Sequence, residues 1–461
     1  MASTSNYNFR YILTISFISA LGGLLFGFDI SVISGALPFI TPYFHLSEWG
    51  KGFAVSSLYL GCMAGCLIAG SISERYGRKP GLMLSALLFG VSAIGVALSH
   101  QLFWFVFFRI IGGLGVGMAS MLSPMYIAEI SPAPIRGRMV SINQLTIVIG
   151  ILLTYYVNYL LASGPQGWRW MFGCGLVPSL LFFIGMFFVP ESPRWLVKAG
   201  KQDKSRRILQ RIGGADYAGD VISQIKGSVG EKRASRGFQW SLVFDKKIFP
   251  VLIIGIVLAV YQQFCGINVV FFYAPDIFAK TGASVESQLL QTIAVGAVNL
   301  VFTLVAMWLV ERAGRRGLML FGSVALAVCY VAIGFLLHDM GSNGFWLLIL
   351  VLLAIASYAV SLAPVTWVLI SEIFPNRIRS EGVAIATFFL WLACYILTLT
   401  FPVIMKQFGG YTAFWIYAGI CVLGFLFVYF RVRETKGKTL EELESFFVSD
   451  KSARGVVKTR L

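Results

Sequence analysis

Read from its N-terminus, the chain is a series of apolar runs separated by short polar breaks. Each run has about the 20 residues that a helix needs to cross a bilayer. Twelve can be placed, roughly at 11–39, 50–72, 80–99, 102–124, 139–162, 169–189, 248–274, 288–310, 317–338, 345–370, 382–404 and 411–432. The runs are continuously apolar and do not alternate, so they predict helices and not the strands of a transmembrane barrel. Runs one, seven and ten exceed what a perpendicular helix requires, which predicts tilt or a break. The first run has the look of a secretory leader. It passes through Asp29 without a small-residue cleavage site, and so reads as a retained helix.

One long polar interval, 190–247, separates spans six and seven. Ile208, Leu209 and Ile212 recur there at helical spacing among Lys201, Lys204, Arg206, Arg207 and Arg211. That pattern predicts short amphipathic helices lying on a membrane surface. The expected organisation is an all-α membrane protein of twelve transmembrane helices. It has a six-helix half at 1–189, a cytoplasmic helical linker at 190–247, a second six-helix half at 248–432 and a tail at 433–461.

Composition agrees with this pattern. The 461 residues are 57% hydrophobic and 13% charged, against about 25% charged in soluble domains. A water-soluble enzyme and a disordered chain are both excluded. The seven cysteines all fall within spans, so a disulfide framework is not expected. Lys+Arg 37 against Asp+Glu 21 leaves a net charge of +16, and its distribution is informative. Thirty-two of the basic residues lie in the N-terminus, the tail, the linker and alternate loops. The opposite loops hold Lys51, Arg169, Lys280 and Lys406, and Arg109 lies inside a span. By the positive-inside rule both termini and the linker are expected to be cytoplasmic. The basic balance is then a topology signal that requires no nucleic-acid partner.

Short motifs recur between the halves. Glu74-Arg-Tyr-Gly-Arg-Lys79 follows span two and Glu311-Arg-Ala-Gly-Arg-Arg316 follows span eight, 237 residues later. Glu129, Pro132 and Arg136 after span four return as Glu372, Pro375 and Arg379 after span ten, and Glu191 returns as Glu434, both at an offset of 243. Two parallel six-helix repeats characterise transporters, whose substrate site lies near the midplane at the repeat interface. Symmetry alone leaves channels and membrane enzymes open.

On these motifs, together with Arg109-Ile-Ile-Gly-Gly-Leu-Gly-Val-Gly117, Pro124-Met-Tyr-Ile-Ala-Glu129, Pro190-Glu-Ser-Pro-Arg-Trp195, Gln262-Gln-Phe-Cys-Gly-Ile-Asn268 and Glu434-Thr-Lys-Gly-Lys438, the chain resembles the sugar porter family of the major facilitator superfamily. Within it, the chain is similar to bacterial proton-coupled xylose symporters. The resemblance runs from residue 22 to about 444. It implies alternating access to a neutral monosaccharide, pentose or hexose.

Asp29 and Arg109 are the formal charges placed well inside the hydrophobic layer. An ion there costs at least about 2.5–3.5 kcal/mol on insertion scales, so such residues face the bundle interior and pair. One reading is a static bridge. The other is a proton relay in which Asp29 binds and releases the proton beside Arg109, and the resemblance implies the relay. Where xylose symporters carry a second acid in span six this chain has Gly175, which would leave coupling to Asp29 alone.

A neutral polyol calls for uncharged groups that both donate and accept, and amides cost far less to bury than ions. Gln144 in span five and Gln262, Gln263 and Asn268 in span seven are the candidates, with Asn299 in span eight as a further one. On a straight helix Gln262 and Asn268 point apart by about 240°, so Gly266 between them suggests a break. Trp367, three residues after Pro364, and Trp391 match the family's sugar-lining tryptophans, and Phe26 joins them as an apolar wall. The residue before Trp391 is commonly polar in the family, but here it is Leu390.

The charged motifs read as a cytoplasmic gate. Arg75, Arg78, Glu129, Arg136, Glu191 and Arg194 of the first half would meet Glu311, Arg312, Arg315, Glu372, Arg379 and Glu434 of the second. The glycine-rich run at 113–117 lacks the strand–turn–helix context of a nucleotide fingerprint. No cofactor, no metal and no enzymatic activity are expected, and the protein is expected to work as a monomer in a bacterial inner membrane. A uniporter without obligatory protons and a transporter-like sugar receptor remain alternatives.

Overall fold

The computed structural model describes residues 7–162, 164, 166–231, 248–338, 344–374 and 379–436. Among them twelve helical spans are long and apolar enough to cross a membrane, and no strand occurs. The helices overrun the apolar runs by up to nearly two turns, because backbone bonding continues through interfacial polar residues. Thus α1 is Phe9–Tyr43 and α2 is Glu48–Tyr76. Asn8 caps α1 by accepting the Tyr11 N–H at 3.1 Å. Then come α3 (Arg78–Leu98), α4 (Leu102–Ile130) and α5 (Arg136–Leu161).

Three spans are broken in two. Span six is α6 (Gly167–Gly173) and α7 (Leu176–Phe188). After the linker helices α8 (Pro193–Lys198) and α9 (Gln202–Glu231), span seven is α10 (Phe249–Phe264) and α11 (Ile267–Ala279). Beyond α12 (Val285–Ala313) and α13 (Arg315–His338), span ten is α14 (Gly344–Val360) and α15 (Leu362–Ile373). Spans eleven and twelve are α16 (Arg379–Gln407) and α17 (Gly410–Arg431).

Spans seven and ten break as their length suggested. Span one does not: it runs unbroken for 35 residues through Pro38 and Pro42. The break in span six was not expected. It has the same cause as the one in span ten, a proline whose ring clashes with the carbonyl four residues back. Pro178 breaks the helix at Cys174–Gly175, and Pro364 breaks it at Ser361, whose φ is −119° and ψ −88°.

The chain divides into two compact units, Met1–His45 with Ser57–Gly237, and Leu46–Ser56 with Phe238–Leu461. In the first, α1 and α5 touch backbone to backbone. A Cβ on Gly27 would stand 2.0 Å from the Ile147 carbonyl, and one on Gly150 would stand 2.2 Å from that of Leu24. Only glycine permits that approach.

The linker corrects an expectation. Leu209 and Ile212 do not lie on a membrane surface: they are buried with Ile12, Ile127, Met139, Val197 and Ile222, and Ile208 packs against them. The Asn8 N–H donates to the Ile212 carbonyl at 2.9 Å. The apolar face of α9 is therefore satisfied by the ends of α1, α4 and α5. In the second unit the start of α2 is held by Lys51 to Asp276 at 2.5 Å, and by Glu48 to Lys406 at 3.5 Å. Large apolar side chains left mostly outside, such as Phe188 and Phe430, suit a lipid-facing surface and not a wet one.

Candidate functional site

In the first unit, Arg109 on α4 is 1% exposed. Its Nη1 donates to the main-chain carbonyl of Asp29 at 3.0 Å, and its guanidinium lies 5.7 Å from the centre of the Phe172 ring. The bond thus runs to the backbone of residue 29, while the carboxylate oxygen Oδ2 is buried with no hydrogen-bond partner among the described residues. Gly175 sits at the span-six break, where a Cβ would stand 2.9 Å from Phe28 Cε1. The ring next to Asp29 fills the place where a side chain would begin. Gln144 on α5 and Phe26 on α1 are half-buried.

In the second unit the break in span seven assembles the amides. Gly266 takes φ +88°, and a Cβ there would meet the Tyr417 ring at 2.5 Å. Conformation and space both demand glycine. Residues 263 and 268 would point about 140° apart on a straight helix, but across this break Asn268 Nδ2 donates to Gln263 Oε1 and to Cys394 Sγ.

Gln262 has another task. Its Nε2 donates to the carbonyls of Leu362 at 3.1 Å and Ala363 at 3.2 Å, in the first turn of α15. It thereby ties the break in span seven to the break in span ten, leaving its own carbonyl oxygen as the acceptor. Trp367 is half-buried one turn along α15, and Trp391 is 3% exposed on α16, one turn before Cys394. Leu390 is buried. Asn299 is buried on α12, outside the bonds of the Gln263–Asn268 pair. Sequence reasoning missed Cys394, since a thiol in a span carries no signal until a partner is known.

The charged motifs form one cluster in each unit, built alike. Arg78 grips Glu129 with two bonds, 2.9 and 2.8 Å, and Ser192 Oγ donates to the same carboxylate at 2.5 Å. Glu191 accepts from the N–H groups of Arg78 and Lys79, where α3 begins. In the second unit Arg315 reaches Glu372 at 3.5 Å, and Glu434 accepts from the N–H groups of Arg315 and Arg316, where α13 begins. An anion on free N–H groups at a helix start is favourable. Gly77 at φ +108° and Gly314 at φ +84° clear the space, since a Cβ on either would strike its glutamate.

Burial pushes the Glu191 carboxyl above its ordinary range, against N–H bonds from Ser192, Lys79 and Arg78. Burial also pushes Glu434 up, but its four main-chain N–H bonds prevail and hold it low. Arg75 lies over Tyr76 and Arg312 over Trp308, both exposed, as are Arg136 and Arg194. The side chains of Glu311 and Arg379 lie outside the described residues. The Ser192 and Gly77 contributions were latent in Pro190-Glu-Ser-Pro and Gly-Arg-Lys, but only folding gives them partners.

Broken helices, a buried acid beside an arginine, and paired neutral amides are the equipment of a secondary transporter. The chain matches the family described as "Sugar (and other) transporter" over residues 15–447 and belongs to it. It is 42% identical to the D-xylose-proton symporter of Escherichia coli (strain K12), across 96% of this chain and 97% of that protein. It is 40% identical to the arabinose-proton symporter of Bacillus subtilis (strain 168), with the same coverage. Among solved structures, it resembles the partially occluded inward-open xylose transporter XylE from E. coli with TM-score 0.84 at 40% identity, covering 93% of this chain and all of that one. XylE bound to 6-bromo-6-deoxy-D-glucose gives TM-score 0.82 at 41% identity, covering 96% of this chain and all of that one.

Proposed function

We infer that the protein is a proton-coupled monosaccharide symporter working by alternating access, with a pentose or hexose as substrate. The observation that carries this is the buried Asp29 carboxylate beside Arg109 in a chain whose other candidate groups are neutral amides. Asp29 takes the proton and Arg109 stabilises the form without it. Gln263, Asn268, Gln144 and the side-chain oxygen of Gln262 hydrogen-bond the sugar, with Asn299 as a further partner. Phe26, Trp367 and Trp391 supply apolar walls for the ring. The protein works as a monomer, not as an enzyme, in a bacterial inner membrane with both termini cytoplasmic, and the charged clusters brace the cytoplasmic helix ends.

Purified protein in proteoliposomes with an imposed inward proton gradient is expected to accumulate labelled xylose or glucose and to lose the accumulation when an uncoupler is added. A uniporter is the second reading, favoured by Gly175 standing where xylose symporters carry an acid. It would equilibrate sugar equally with and without the uncoupler.

Gly266→Ala tests the amide site. An L-residue in the left-handed region costs about 1–2 kcal/mol, and the added carbon strikes Tyr417. Sugar exchange is expected to fall at least tenfold with membrane insertion retained. Unchanged exchange would show that the break does not build the binding site.

A further inference from the structure

The Asp29 carboxylate lies against a notch in α4 that exists because residue 112 has no side chain. A Cβ on Gly112 would stand 3.1 Å from Asp29 Oδ2 and 2.5 Å from Ser92 Oγ. An acid of α1, a hydroxyl of α3 and bare backbone of α4 therefore converge on one point. Gly112 follows Arg109 by three residues, so the notch and the arginine share a face of α4. Ser92 is 3% exposed and Gly112 is buried, which keeps this corner shielded from bulk water.

Near Asp29, Arg109 of α4 is the charged group, and Tyr59 and Cys62 of α2 act on Arg109. Tyr155 of α5 stands beside Ser31. The span-six break brings Phe172 and Gly175, and α3 brings Ser92.

We propose that Ser92 is a positioning residue for proton coupling: its hydroxyl, not bonded to Oδ2 in this conformation, donates to the Asp29 carboxylate when the notch that Gly112 keeps open closes during transport. A hydroxyl both donates and accepts, so it serves the acid with or without its proton. A hydrogen bond to an ionised acceptor is about twice as strong as a neutral one, so the net effect favours the charged form. Removing it raises the affinity of Asp29 for protons. The inference rests on the reading of Asp29 as the proton site.

The test is the pH profile of gradient-driven sugar uptake in proteoliposomes, with sugar exchange measured alongside. Ser92→Ala removes one oxygen and is expected to move the half-maximal pH upward by about one unit, tenfold in proton affinity, with exchange unchanged. Gly112→Ala, which wedges a methyl between the two groups, is expected to move it the same way. A Ser92→Ala profile superimposed on the parent's, while Asp29→Asn loses accumulation, overturns the role of Ser92 alone. Accumulation surviving in Asp29→Asn overturns the reading of Asp29 itself.

Discussion

Asp29→Asn is expected to abolish uphill sugar accumulation and leave exchange of sugar across the membrane intact. Asparagine matches aspartate in shape but neither binds nor releases a proton, so the internal-to-external sugar ratio should fall to one. The fold should survive, because Arg109 donates to the main-chain carbonyl of residue 29 and not to the side-chain oxygen left without a partner. The substitution also removes a buried charge, which is costly in a membrane. Accumulation and counterflow measured on the same proteoliposomes separate the two effects. A variant that accumulates sugar as the parent does would exclude Asp29 as the coupling group.

Arg78→Met should destabilise the protein far more than Arg315→Met, although the two arginines are repeats of one motif. The Arg78 and Glu129 side chains are 7% and 9% exposed and share a two-pronged contact. Removing one partner of a buried pair leaves the other charge stranded, at about 3–5 kcal/mol. Arg315 and Glu372 are 18% and 23% exposed and meet at a single contact of 3.5 Å, so this longer, one-pronged pair loses less when one partner is removed. Thermal unfolding in detergent should show a large drop for Arg78→Met and a small one for Arg315→Met. Adding Glu129→Gln to Arg78→Met should restore part of the loss, because the stranded charge is gone. Equal drops for the two arginines would show that burial does not set the strength of these clusters.

The spans were legible because bilayer thickness fixes the length of an apolar run, and the repeat was legible because charges at helix ends recur in register. The breaks at Gly266 and near Pro364 could be read from residue type. The break at Gly175 could not, since glycine recurs throughout the spans as a packing residue and only the neighbouring Pro178 interrupts the helix here. An amphipathic pattern does not distinguish lipid from protein, so the packing of Leu209 and Ile212 against α1, α4 and α5 was hidden. The amides of span seven were recognisable as a group. That Gln263 pairs with Asn268 while Gln262 secures the first turn of α15 depends on a crossing of two broken helices, which no local spacing encodes. Likewise the sequence marked Glu191 and Glu434 as repeats, and the fold gave them their task of capping α3 and α13.

The most direct measurement is proton movement caused by sugar. Proteoliposomes without any imposed gradient are placed in weakly buffered medium, and xylose or glucose is added outside. The expected result is a sugar-dependent alkalinisation of the medium that is absent in Asp29→Asn. Sugar entry by the parent protein with no change in external pH would contradict coupled transport.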